Sequence, residues 1–117
     1  MNYNLDLNDR PFKAIKAGTK KVEGRTPVNS EENIYEKMIP GDIITFTNNV
    51  TSEKLPCEVL FVCRYDNARA MLETEGTKNV LSSCLDVEGG IKSYNSLGGY
   101  EEGIKKYGIY SIGVKVV

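Results

Sequence analysis

Between Leu55 and Tyr65 the residues Leu55, Cys57, Val59, Phe61 and Cys63 alternate with more polar ones, the period-two pattern of a strand with one buried face. The end of the chain repeats the pattern: from Ile109 to Val117, Tyr110, Ile112, Val114 and Val116 share a face. A third β-rich run, Ile43 to Thr47, follows a turn at Pro40-Gly41-Asp42. Elsewhere the period lengthens. Asn8 or Asp9 can cap a short helix with Pro11 in its first turn, where the missing N–H is harmless. Phe12, Ile15 and Lys16 have helical spacing, and Gly18 suits the left-handed residue that ends a helix. Asp66 is placed to cap a second helix containing Ala68, Met71 and Leu72 and stopped by Gly76. A third, over Tyr100 to Lys106, puts Tyr100 and Ile104 on one side with Tyr107. Lys20 to Thr26 reads as a strand and Pro27 to Glu32 as a turn-rich link. The Gly- and Ser-rich stretch from Val87 to Gly99 predicts a long loop.

These strands are too few, and their connections too irregular, for a doubly wound sheet. The expected class is α+β: a small mixed or antiparallel β-barrel with short helices plugging its ends. A chain of 117 residues is expected to form one domain, residues 1–117, around a single core. No apolar run is long enough to cross a membrane, and the opening MNYNLDLND is not a signal peptide, so a cytoplasmic protein is expected. The net charge of −1 argues against bulk attraction to nucleic acid, although Lys13, Lys16, Lys20, Lys21 and Arg25 leave room for a local basic patch.

The missing side chains narrow the chemistry further. There is no histidine, so neither a Ser-His-Asp nor a Cys-His site can be assembled; any catalysis must use Lys, Glu, Asp, Tyr, Ser or Thr. Cys57, Cys63 and Cys84 lack CxxC spacing, which points to neither a disulfide framework nor a zinc site. Cys57 and Cys63 are expected to be small buried thiols. Val87-Glu88-Gly89-Gly90 lacks the pattern of a phosphate loop, and no metal or cofactor is expected.

The densest chemistry lies in Gly18-Thr19-Lys20-Lys21-Val22-Glu23-Gly24-Arg25. Glu23 and Arg25 lie two apart, so on a regular strand they share a face and can pair. Strict alternation would put Lys20 on the opposite face, so a shared site requires Lys20 to sit in the turn before the pleat begins. A desolvated lysine there can hold a phosphate, or act as base or nucleophile if its pKa falls. Arg25 can grip a phosphate or a base carbonyl while Glu23 accepts from an amino group. A structural salt bridge is the alternative. Tyr65, Tyr94, Tyr100 and Tyr107 are candidates for stacking on an unpaired base, or for half-buried rim positions.

Gly18-x-Lys20-x-x-Glu23-x-Arg25 matches in full the G-x-K-x-x-E-x-R signature of the ASCH domain family, a branch of the PUA-like β-barrels. Three later blocks also resemble that family, in the expected order. They are Pro40-Gly41-Asp42-Ile43-Ile44-x-Phe46, then Val59-x-x-Val62-x-x-Tyr65 before a helix with Met71-Leu72, and Tyr107-Gly108-Ile109. The resemblance implies a barrel with a cleft beside the first helix, and RNA or a nucleotide-like small molecule as partner. Lys20, Lys21, Glu23, Arg25 and Tyr65 become the expected binding residues. One branch of the family hydrolyses the amide of N4-acetylcytidine and another cleaves single-stranded RNA. On the first of these the resemblance implies catalytic roles for Lys20, Glu23 and Glu75, with Glu73 as the next carboxylate. That branch has threonine where this chain has Glu23. A third implication is a protein-interaction module whose signature is structural.

Overall fold

A computed structural model describes residues 1–83 and 85–117; Cys84 lies outside the described residues. Five strands form one sheet: β1 (Asn2–Leu7), β2 (Val22–Arg25), β3 (Ile43–Asn48), β4 (Lys54–Tyr65) and β5 (Ile109–Val116), in the order β1-β3-β4-β5-β2. β1 runs parallel to β3 and every other pair is antiparallel, so the sheet is mixed. It curls into a half-barrel whose outer strands, β1 and β2, do not pair. Short helices cover it: α1 (Asp9–Ala17), α2 (Ala68–Glu75), α3 (Thr77–Val80), α4 (Val87–Asn95) and α5 (Tyr100–Tyr107), plus a 3-10 turn at Tyr35–Lys37. The class is α+β, as the sequence pattern led us to expect. Among the described residues no helix is long and apolar enough to cross a membrane.

Apolar side chains pack on both sides of the sheet. The concave side holds Phe12 and Ile15 of α1 against Ile44, Phe46, Val59 and Ile112. The other side holds Met71 and Leu72 of α2 against Val22, Tyr94 and Ile109. Side chains of this size contribute about 1.5–3 kcal/mol each when fully buried. β5 serves both sides, which is why Ile109 to Val114 is buried without interruption.

Four local expectations need correction. β4 does not keep one apolar face: a β-bulge between Val59 and Phe61 adds a residue, Leu60, and reverses the phase. Phe61 therefore packs on the α2 side, Val62 on the concave side, and Cys63 is exposed rather than buried. The cap of α2 is Asn67, whose side chain accepts from Ala70 N–H at 2.8 Å, while Asp66 pairs with Arg64. The strand carrying the signature starts at Val22, not Lys20. Finally, Val87–Asn95 is a helix rather than loop. Asp86 caps it by accepting from Gly89 N–H at 2.8 Å, and Gly90 lets it approach Leu72 so closely that a Cβ would sit 2.8 Å from Leu72 Cδ1.

Candidate functional site

Gly18 ends α1 in the left-handed conformation (φ 83°), with open space where a Cβ would stand, so glycine is needed there for its backbone and not for room. The N–H groups of Thr19 and Lys20 both return to Ala14 O, closing the turn. Lys20 thus precedes the pleat of β2, and its side chain runs back under the strand to Glu23. The side chain is 4% exposed, and its ammonium donates to Val22 O at 2.6 Å, to Val80 O and to Glu23 Oε1 at 3.2 Å. These acceptors satisfy all the donors an ammonium has.

Glu23 stands opposite Ile112 and shares its concave face. Its second oxygen, Oε2, accepts from Arg25 Nε at 2.7 Å. Arg25 also donates from Nη2 to Asp6 O at 2.6 Å, reaching across the gap between β2 and β1. One guanidinium thereby ties the two unpaired edges of the half-barrel together. Burial alone would raise the Glu23 pKa, but the charges of Lys20 and Arg25 and their hydrogen bonds outweigh it, and the carboxyl is held below the usual carboxylate range. Burial pushes the Lys20 ammonium down, with Glu23 resisting. Burial alone would lower Arg25, but the charge and hydrogen bond of Glu23, together with the nearby Tyr100 and Tyr35, outweigh it and the guanidinium is raised.

Lys20, Glu23 and Arg25 line one cleft of about 380 Å³ at this seam. Its opposite wall comes from α4 and α5, where Tyr94 and Tyr100 stack with ring centroids 6.1 Å apart and planes 15° from parallel. Tyr94 packs its hydroxyl against the backbone of Gly24, where any Cβ would collide with it. Burial raises the pKa of both phenols, so they stay protonated as donors. Ser82, Ser83 and Ser93 add hydroxyls to the lining. Because Lys20 and Glu23 satisfy each other and Arg25, the charge available to a ligand is the part of the Arg25 guanidinium that borders the cleft.

The remaining expected residues lie elsewhere. Glu75 Oε2 accepts from Tyr65 OH at 2.6 Å and from Ser111 Oγ at 2.9 Å. Ser111 sits between Tyr110 and Ile112, so its side chain leaves the sheet on the side away from Glu23. Burial, then Glu75, pushes the Tyr65 phenol up to about 12. Glu73 and Lys21 are exposed, and Tyr107 lies beneath the Lys106 ammonium at 5.2 Å from its ring centroid. Among the described residues no group of His, Cys, Asp and Glu is arranged to hold a metal ion. Of the four tyrosines that the sequence offers for stacking, Tyr94 and Tyr100 line this cleft; what sequence reasoning missed is the helix that carries Tyr94, signalled only by the Asp86 cap, and the serines of the lining.

Fold and cleft define a class: a curled-sheet α+β protein with a buried Lys–Glu–Arg network at its open seam. Two solved structures are similar to the chain. The crystal structure of hypothetical protein PH0355 is 35% identical, with a TM-score of 0.84 and all of both chains covered. The solution structure of protein PF0455 from Pyrococcus furiosus is 32% identical, with a TM-score of 0.77, covering 100% of this chain and 98% of that one. The chain belongs to the same family as these two proteins. No model of a known protein family matches the chain, and neither does any curated protein.

Proposed function

We propose that the chain is a cytoplasmic ASCH-type, PUA-like module that binds single-stranded RNA or a nucleotide-derived small molecule in the seam cleft. The observation that carries this reading is the placement of Arg25. Its guanidinium is fixed by Glu23 and Asp6 O and borders a cleft whose far wall is the Tyr94–Tyr100 stack. A planar, preorganised fork suits a phosphate or a base carbonyl, and an aromatic wall suits a base. Lys20 and Glu23 serve to position Arg25.

Binding is favoured over hydrolysis of modified cytidine for two reasons. Every Lys20 donor already has an acceptor, which holds the group as an ammonium with no lone pair to take a proton, and Glu75, at the end of α2, lies against the opposite face of the sheet.

Fluorescence anisotropy with a short labelled single-stranded RNA, competed by cytidine 5′-monophosphate, tests the proposal. Affinity is expected to fall steeply with salt. Tyr100→Ala should weaken binding by about tenfold, from the loss of one stacked base. Absent or salt-independent binding of both probes refutes it. Release of cytidine from N4-acetylcytidine would move the reading to an amidohydrolase.

A further inference from the structure

On the other side of the Gly18–Lys21 turn lies a groove of about 560 Å³ that the proposed function does not use. It runs between the end of α1, the exposed end of β5 and the bulge in β4, over an apolar floor that includes Val22, Phe61 and Val116. The Phe61 ring lies against the backbone of Gly113, where any Cβ would collide with it, so the floor depends on that glycine. Leu60, the extra residue of the bulge, lines the groove and is 45% exposed. Bulges re-aim side chains in this way and are over-represented next to functional sites. Small-molecule sites occupy roughly 300–1,000 Å³, mostly apolar with a few polar groups, and the groove has that character.

Cations outnumber carboxylates in its lining. Lys16 is paired with Glu53, but Lys21 and Lys115 have no carboxylate within ion-pairing distance among the described residues. Glu75, the carboxylate in the wall, is already engaged by Tyr65 and Ser111. Apolar surface bordered by uncompensated cations suits a ligand with an apolar body and one negative head. A folded protein partner would need a far larger surface, about 800 Å² per side.

We propose that this groove is a second binding site, for a small organic carboxylate whose aliphatic or aromatic body rests on Phe61 and Leu60 and whose head meets Lys21 and Lys115. Octanoate and its uncharged counterpart octanamide, titrated separately into the ¹⁵N-labelled protein, provide the test. Both should shift the amide signals of Val22, Leu60, Phe61 and Val116. At low salt octanoate should bind about three- to tenfold more tightly than octanamide, an advantage set by two exposed ion pairs. Lys21→Gln with Lys115→Gln should abolish that advantage and leave octanamide unchanged. Leu60→Ser, at a position outside both buried cores, should weaken both. Equal affinity for the two probes, an octanoate preference that survives the double lysine variant, or shifts confined to the Arg25–Tyr100 cleft would each overturn the proposal. So would binding of an acidic, apolar-alternating peptide without binding of octanoate.

Discussion

Glu23, buried on β2, and Glu75, half-buried at the end of α2, lie on opposite sides of the sheet beside β5 and are satisfied by different means. Glu23 lies between two cations, and both of its oxygens are used against charge. Glu75 is held by two hydroxyls on a single oxygen. The first arrangement makes each member depend on the others' charge, while the second asks only for an acceptor. A carboxylate's environment, and not its burial alone, decides what its removal does.

Glu23→Gln should therefore have the largest effect. It leaves Lys20 and Arg25 facing each other without an anion, and breaking a buried pair in this way costs about 3–5 kcal/mol. Chemical denaturation should show this loss, and a loss under about 1 kcal/mol would mean the network is not the linchpin of the seam. Gly24→Ala comes next. The added methyl meets the Tyr94 hydroxyl, so about 1–3 kcal/mol should be lost to overpacking, and RNA affinity should fall with the displaced wall. Glu75→Gln should cost only about 1 kcal/mol, since an amide oxygen can still accept from Tyr65 and Ser111.

The smallest effects separate the two carboxylates by pH. The Glu23 pKa is lower folded than unfolded, so its stabilisation is present above the unfolded value, about 4.3, and is lost as pH falls through the folded value. The acid limb of a melting-temperature profile should flatten in Glu23→Gln. Tyr65, raised to about 12, acts on the alkaline side: its contribution is complete below about 10 and is lost as pH rises towards the folded value. Tyr65→Phe should flatten that limb and leave the acid limb alone.

Much of this was legible in the chain. β3, β5, α1 and α5 follow from period and punctuation, because each presents one clear apolar face or a Gly stop. The signature also places Lys20, Glu23 and Arg25 near one another, and the Gly18 turn supplies the off-strand position that Lys20 needs. What was hidden depended on partners distant in sequence. β1 alternates Tyr3, Leu5 and Leu7 with Asn2, Asn4 and Asp6, but its polar half reads as a loose start until β3 is beside it. α4 carries Gly89 and Gly90, which weaken a helix locally; Gly90 is there so that Leu72 and Leu81 can come close. The bulge at Leu60 leaves the β4 alternation intact on paper while reversing its second half in space.

The unclosed seam has one more consequence. β2 is an edge strand, and such an edge offers free backbone groups on which another copy of the chain could polymerise. Here Lys21 N–H is already given to Asn79 O, and the Lys20 ammonium is buried beneath the strand beside Val80 O. An invading strand would have to displace α3 and part Arg25 from Asp6 O without replacing that partner. The charged network proposed to serve a ligand also keeps this edge from templating aggregation.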